Sequence, residues 1–264
     1  MAIGSEFERE TVIDRVIAGM ERKAAKRSSE QERVTVRHDP PAPAPAPHQV
    51  GVVPLRRPAG GPIWWLVAGA AAAFLLLTLA VVQRFGPLVQ FDAWVSAGAY
   101  DAALAHPAWR SVMYAVTWTA NTTTITPVAA VATLLLIWRH RWWQALMLVV
   151  AMLGTAGLRW LVLTSIDRPR PADRLAPSSG WSFPSGHTTA SATAALVAVL
   201  ICWPLLRAQW ARVLLVAVAA GWALAVGISR VALVVHWPSD VVGGWLFVAV
   251  VVPSIAVLVR RLRW

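Results

Sequence analysis

Six long apolar runs constrain this chain more than any other feature of its sequence. A helix that crosses a bilayer needs about 20 consecutive apolar residues, and from residue 62 onwards such runs alternate with short segments that carry arginine. Lipid offers no hydrogen-bond partners to the backbone, so each run must form a helix that closes its own hydrogen bonds. The sequence predicts an all-α, polytopic membrane protein with a six-transmembrane-helix bundle. The runs are Pro62–Val82, about Thr123–Trp138 with an earlier start through Met113–Ala120, Gln144–Leu163, His187–Leu206, Val213–Ile228 and Val241–Val259.

Composition and charge exclude several classes of protein. Hydrophobic residues make up 57% of the chain and charged residues 14%, against roughly 45–50% and 25% in soluble proteins. A net charge of +11 would indicate nucleic acid in a polar chain, but in an apolar one it indicates cytoplasmic loops and anionic lipid headgroups. We therefore expect the lipid bilayer as a partner and no nucleic acid. The single Cys202 excludes an intramolecular disulfide and a cysteine metal cluster.

The first sixty residues differ in composition from the rest of the chain. They hold eight of the thirteen acids and both lysines of the chain. Apolar residues recur at three- and four-residue spacing from Phe7 to Met20, which predicts a short amphipathic helix. A charged stretch and the Pro-Ala alternation Pro40–Pro47 follow, typical of an extended linker. The prediction is a cytoplasmic polar tail over residues 1–60, which either lies on the membrane or a partner or stays mostly disordered, and a membrane domain over residues 61–264.

The arginines predict the orientation of the spans. With the N-terminus inside, the inner loops and the C-terminal tail collect most of them, as the positive-inside rule requires: Arg139, Arg141, Arg207, Arg212, Arg260, Arg261 and Arg263. In an outer loop over residues 84–112, two arginines are balanced by two aspartates. Other arginines, at 168, 170, 174 and 230, fall on the outer side against this bias. We expect those to serve a site, with both termini cytoplasmic.

Three motifs fall on that outer side. They are Arg168-Pro169-Arg170-Pro171, then Pro184-Ser185-Gly186-His187, then Ser229-Arg230 followed by His236 and Asp240. Over roughly residues 85–250, their order and spacing resemble the phosphatidic acid phosphatase type 2 (PAP2) superfamily, whose signature is K-x6-RP, PSGH and SR-x5-H-x3-D. The second and third motifs match at every specified position. The first departs, because Leu163 stands at the lysine position; Arg159 or Arg168 is the possible replacement.

Cleavage of a phosphate ester needs a nucleophile, a proton donor and positive charge around the phosphoryl oxygens. Asp240, four residues after His236, can hold the ring N–H and leave the other nitrogen nucleophilic. The resemblance implies a phosphohistidine on His236 and a general acid in His187, with no metal and no cofactor. Arg170 and Arg230 are expected to clamp phosphoryl oxygens. Ser185 and Gly186 are expected to bind phosphate where the fourth transmembrane helix begins.

The resemblance implies an integral membrane phosphatase that hydrolyses a lipid phosphate or diphosphate at the outer face. The basic cytoplasmic surface fits a bacterial plasma membrane. An outward site fits undecaprenyl or another polyprenyl diphosphate first, and phosphatidic acid or phosphatidylglycerophosphate second. Two alternatives of another kind are a vanadate-dependent haloperoxidase, against which the six spans argue, and a non-catalytic lipid-phosphate binder or transporter. The sequence leaves the oligomeric state open.

Overall fold

A computed structural model of the chain describes residue 15, residues 17–29 and residues 61–262. The chain divides into two compact units, Met1–Arg57 and Pro58–Trp264. In the first unit, residues 17–29 are helical (α1), so this helix continues past Met20 into the charged stretch. The remainder of the predicted amphipathic helix and the Pro-Ala segment lie outside the described residues.

The second unit consists of eight α-helices between residues 61 and 262, and no strand occurs in that range. One turn of 3-10 helix, Trp203–Leu205, follows the sixth of them. The helices are α2 Gly61–Val82, α3 Gly86–Ala105, α4 Pro107–Trp118, α5 Thr122–Trp138, α6 Trp142–Ile166, α7 Gly186–Cys202, α8 Gln209–Ala232 and α9 Pro238–Arg261.

Six segments of this unit are long and apolar enough to cross a membrane. The all-α, six-span architecture is therefore confirmed, and every predicted run overlaps one of these segments. The second segment joins α4 and α5 through a turn at residues 119–121, in agreement with its expected early start. The segments are Ile63–Val82, Pro107–Trp138, Trp142–Ile166, Gly186–Leu205, Gln209–Ala232 and Pro238–Arg261.

The prediction of an outer loop over residues 84–112 was wrong. This segment contains all of α3 and the start of α4, and each helix has a proline in its first turn, where proline is favoured. Helix α3 buries Asp92 and Ser96 and exposes Phe91 and Trp94. Its polar side faces the protein and its apolar side faces outward, which suits a membrane surface. Because polar residues interrupt its apolar ones, no long apolar run marked it as a helix.

Helix α7 lies at the centre of the bundle and packs against α6, α8 and α9. The apolar core between α6, α7 and α9 includes Leu148, Val197 and Val252. Glycines bring the start of α9 close to α7: a Cβ at Gly243 would lie 2.5 Å from the ring of Phe183, and one at Gly244 would lie 3.2 Å from Thr188. The N-termini of α7 and α9 therefore stand side by side, and the site is built there.

Candidate active site

Three segments meet at one end of the bundle. They are residues 167–185 between α6 and α7, the N-terminus of α7, and residues 233–237 between α8 and α9. The last segment is a tight turn in which Val234 has a φ of 54°. The backbone N–H groups of Val235 and His236 both donate to the carbonyl of Arg230, at 3.1 and 3.3 Å. This turn fixes His236 directly beneath the end of α8.

His236 and Asp240 form a buried pair. His236 is 1% exposed and Asp240 is fully buried. The ring Nδ1 lies 3.3 Å from Asp240 Oδ2, and Arg170 Nη1 donates to Nε2 at 2.8 Å. Because a guanidinium can only donate, Nε2 must carry the lone pair and Nδ1 the proton. The tautomer predicted from the four-residue spacing is therefore the one that the hydrogen bonds favour.

The pKa of His236 is lowered from its ordinary value to about 4. Burial is the main cause, and the hydrogen bond and charge of Asp240 oppose it in part. The imidazole is therefore neutral near pH 7, with its Nε2 lone pair available to an electrophile once the Arg170 N–H moves away. A neutral imidazole with its second nitrogen held by a carboxylate is the form that a nucleophilic histidine needs.

A cavity of about 800 Å³ opens beside His236. The arginines and histidines that line it are Arg159, Arg170, His187, Arg230 and His236. Away from them the cavity continues between α5, α6 and α7, where apolar and small side chains line it. These include Ile125, Ala129, Leu148, Val149, Met152, Leu153 and Ala156. The arrangement places a cationic pocket at the end of a mainly apolar cleft.

The three arginines of the cavity differ in the donors that remain for a ligand. Arg159 uses only Nε, which donates to the carbonyl of Pro184 at 2.9 Å. Arg230 is 4% exposed and donates from Nη1 to Thr117 Oγ1 at 2.7 Å, while its buried Nε has no partner in the described part of the chain. A buried donor without a partner costs about 1–3 kcal/mol, so both side chains are suited to receive an anion.

Arg170 does not fit the predicted role of a free phosphate clamp. Nε donates to the carbonyl of Gly180, Nη2 to those of Ser179 and Trp181, and Nη1 to Val235 O and His236 Nε2. Burial, as the main cause, lowers the pKa of this guanidinium from its ordinary value. Its first function in this geometry is to hold the 178–181 loop and the 233–237 turn together. The N–H on His236 Nε2 is the donor closest to a group bound at that nitrogen.

Helix α7 begins at Gly186 with Ser185 as its N-cap, where the sequence predicts it. The backbone N–H groups of residues 186–188 have no partner among the described residues, which makes this helix end suited to an anion. A Cβ at Gly186 would lie 3.0 Å from Arg159 Cζ, so a larger residue here would push the guanidinium away from the helix end. Ser185 differs from its prediction. Its buried hydroxyl accepts from Thr188 Oγ1 at 3.0 Å, and it is not among the residues lining the cavity.

Arg168 also lies outside the cavity lining. Its Nη1 lies 2.6 Å from Asp240 Oδ1, and its Nη2 lies 2.7 Å from Asp92 Oδ2. Of the two arginines considered for the missing motif lysine, only Arg159 lines the cavity. Asp92 was not among the predicted site residues, because it lies in the segment that the sequence predicted as an outer loop and that the structure shows as α3. Leu163 itself is partly buried and is not among the lining residues.

Among the described residues, no three His, Cys, Asp or Glu side chains are grouped in a way that could hold a metal ion.

Comparison with known proteins confirms the resemblance. Residues 159–264 match the PAP2 superfamily. The matched segment begins later than the resemblance over roughly residues 85–250 that the motifs predicted. Phosphatidylglycerophosphatase B of Escherichia coli (strain K12) is 43% identical over 76 residues, which are 27% of this chain and 28% of that protein. The protein of the same name in Shigella flexneri matches to the same extent. The matched region thus spans little more than a quarter of the length of these curated relatives.

A solved structure shares the fold. It is described as the first transmembrane PAP2 type phosphatidylglycerolphosphate phosphatase from Bacillus subtilis. It superposes with a TM-score of 0.67, at 23% sequence identity, over 75% of this chain and 97% of its own. The likeness shows that this chain shares the fold of that protein.

Proposed function

Because residues 159–264 carry a PAP2 superfamily domain, we propose that this chain is an integral membrane phosphatase. It hydrolyses a lipid phosphate or diphosphate through a phosphohistidine on His236. The observation that carries the proposal is the geometry around that residue. A neutral imidazole, with Nδ1 held by Asp240, presents Nε2 to a cavity that also contains His187 and unpartnered arginine donors.

The first half of the reaction forms the covalent intermediate. Nε2 of His236 attacks phosphorus, the P–N bond forms, and the bond from phosphorus to the leaving oxygen breaks. Asp240 stabilises the positive imidazole that results, because its Oδ2 faces Nδ1 at 3.3 Å. His187, at the N-terminus of α7, gives a proton to the leaving oxygen. The lipid alcohol, or the lipid monophosphate if the substrate is a diphosphate, then leaves.

The second half restores the enzyme. A water molecule attacks phosphorus and gives a proton to His187, the P–N bond breaks, and inorganic phosphate departs while His236 recovers its lone pair. Throughout, the phosphoryl oxygens are stabilised by Arg159, Arg230 and the free N–H groups at the start of α7. Such donors are most effective when they are fixed in advance and sheltered from water, and burial of Arg230 at 4% exposure fits that requirement.

The apolar cleft between α5, α6 and α7 suits the hydrocarbon part of a lipid, with the phosphate at the cationic end. Two lipid classes are candidates. The outward site that we propose favours a polyprenyl diphosphate, such as undecaprenyl diphosphate. The names of the relatives favour phosphatidylglycerophosphate, with phosphatidic acid as a related glycerolipid.

The proposed orientation places the site at the outer face of a bacterial plasma membrane, with both termini and the polar tail of residues 1–60 in the cytoplasm. It rests on the arginines at the opposite end of the bundle, in the turns between α5 and α6 and between α7 and α8. Cysteine labelling tests it in a Cys202→Ala background. The exposed Asp173→Cys should react with a membrane-impermeant maleimide on intact spheroplasts, and reaction only after lysis would invert the orientation.

The activity is tested by phosphate release from purified protein in detergent. The substrates are undecaprenyl diphosphate, undecaprenyl phosphate, phosphatidic acid and phosphatidylglycerophosphate. His236→Ala should abolish release from each of them, while His106→Ala, an exposed histidine at the same end that does not line the cavity, should retain it. Binding of these lipids without any phosphate release by the wild type would instead identify a non-catalytic lipid-phosphate binder.

A further inference from the structure

Behind His236, away from the cavity, lies a buried charge cluster in which Asp240 is the one residue that the PAP2 signature specifies. It consists of Asp92 from α3, Arg168 from the segment after α6, and Ser239 and Asp240 from the first turn of α9. Asp92 is 1% exposed, Asp240 is fully buried, and the Arg168 side chain is 12% exposed. Charges are rarely buried so completely unless they are paired, and here one guanidinium serves two carboxylates.

The hydrogen bonds fix each atom of the cluster. Arg168 Nη1 donates to Asp240 Oδ1 at 2.6 Å and to Ser239 Oγ at 2.7 Å, and Nη2 donates to Asp92 Oδ2 at 2.7 Å. Asp92 Oδ1 accepts the backbone N–H of Ser239 at 3.0 Å, and its Oδ2 accepts the Ser239 hydroxyl. Asp92 thus caps the N-terminus of α9 from a different helix, which is a favourable place for an anion.

This arrangement fixes the rotation of the Asp240 carboxylate. Oδ1 is held by Arg168, so Oδ2 must point to His236 Nδ1 and to the backbone N–H of Trp237, at 3.3 and 2.9 Å. The Trp237 ring covers Arg168, with its centroid 5.8 Å from Cζ, and its Nε1 donates to Pro169 O. The guanidinium that orients Asp240 is therefore itself held on three sides.

The charges of the cluster also match the reaction. Arg168 alone would neutralise Asp240 and weaken the attraction of that carboxylate for a positive imidazole. Asp92 returns the cluster of two carboxylates and one guanidinium to a net charge of −1, the sign that stabilises the cation formed on His236 when P–N bonding begins. Arg168 can therefore orient Asp240, while the negative charge of Asp92 offsets the positive charge that Arg168 brings near His236.

We propose that Asp92 and Arg168 are positioning residues for the His236–Asp240 pair, so that α3, which precedes the matched segment 159–264, is part of the active centre. The inference rests on the proposed phosphatase function. It reassigns Arg168 from substrate binding to the support of the nucleophile. Since neither residue lines the cavity, substitutions should act on kcat and leave KM nearly unchanged.

The test compares Asp92→Asn with Asp101→Asn, the same change at an exposed position of the same helix. Loss of the hydrogen-bond partner of a metal ligand typically costs about 10- to 100-fold in activity, and we expect a loss of the same order for the partner of a nucleophile. Asp92→Asn should lower kcat and the rate of phosphoenzyme formation by that factor, with KM changed by less than about two-fold. Arg168→Lys should retain more kcat than Arg168→Gln, because lysine keeps the positive charge. It should still fall below the wild type, because lysine lacks the planar fork that reaches both carboxylates.

The outcomes distinguish a failure of the proposed function from a failure of the positioning role of Asp92 and Arg168. If the wild type hydrolyses none of the four lipids, the proposed function fails. If the wild type is active and Asp92→Asn equals Asp101→Asn in kcat, or acts through KM, the positioning inference fails. If Asp92→Asn gives no monodisperse protein, Ser239→Ala replaces it, because it removes no charge and only the two hydrogen bonds of the Ser239 hydroxyl, the one accepted from Arg168 Nη1 and the one donated to Asp92 Oδ2. It should lower kcat about 2- to 10-fold, and a wild-type kcat in that variant overturns the inference.

Discussion

Replacing Arg159 with glutamine is expected to lower kcat/KM by about 10- to 100-fold, mainly through KM. The Arg159 side chain lines the cavity, and its two terminal nitrogens have no partner among the described residues. The substitution removes the positive charge of this guanidinium. One hydrogen bond from a charged donor is worth about 1.5–3 kcal/mol, and each 1.4 kcal/mol is about a factor of ten. Loss of the Nε bond to Pro184 O adds to the effect.

A second substitution distinguishes loss of charge from loss of structure. Leu163 lies one helical turn from Arg159 towards the site end of α6 and occupies the position of the family's lysine. Leu163→Lys in the Arg159→Gln background should recover a large part of kcat/KM if a cation in this region is what matters. The assay is inorganic phosphate release over a range of lipid concentrations in mixed micelles.

The control is Arg84→Gln, which removes an exposed arginine from the same end of the bundle. It should leave KM within about two-fold of the wild type, because an exposed charge is screened by solvent and salt. An Arg159→Gln variant with wild-type KM would refute the assignment of Arg159 as the replacement for the motif lysine. So would a rise in KM of the same size in Arg84→Gln, since the effect would then be a general one of surface charge.

Three further predictions concern the acid, the pH range and the packing. His187→Ala should slow phosphatidic acid hydrolysis at least about ten-fold more than undecaprenyl diphosphate hydrolysis, because an alkoxide leaves less readily than a phosphate; equal losses in kcat would count against the acid role. Burial lowers the pKa of His236 to about 4. Below about pH 6.5 this histidine therefore binds a proton in the unfolded chain but stays neutral in the folded chain until the pH approaches 4. The Tm in detergent should therefore fall from about pH 6.5 towards pH 4, and less so in His236→Asn; parallel curves would contradict the burial. Gly243→Ala should lower both Tm and kcat, because its Cβ would lie 2.5 Å from the ring of Phe183 just before the Pro184–His187 motif, whereas Gly69→Ala, which meets open space, should change neither; a wild-type Tm in Gly243→Ala would refute this packing.

The spans were predictable from the sequence because lipid imposes one strong rule. Only a helix of sufficient length satisfies its backbone in a bilayer, so apolar runs such as Gln144–Leu163 mark α6 to within a few residues. The same rule failed for α3, which lies outside the six spans and carries Asp92 and Ser96 on its inner face. A helix with polar residues towards the protein and aromatic residues outward reverses the pattern of a soluble helix.

The site was predictable in its residues and less so in their contacts. Motif spacing brought His187, Arg230 and His236 to one cavity, and the structure places them there. Motif spacing could not reveal that Arg170 donates hydrogen bonds to backbone carbonyls of the 178–181 loop, since such bonds depend on the path of that loop. Nor could it pair Asp92 with Arg168, 76 residues apart, because a contact between distant segments leaves no trace in local spacing.

The central claim is that His236 becomes phosphorylated during turnover, and rapid quenching with ³²P-labelled lipid phosphate measures it directly. We expect a phosphoenzyme that is labile in acid and stable in alkali. After trypsin cleavage the label should lie on the peptide of residues 231–260, in which His236 is the one histidine, and His236→Ala should carry none. Steady phosphate release with no label on that peptide, or with label on the peptide that contains His187, would show that His236 is not the nucleophile.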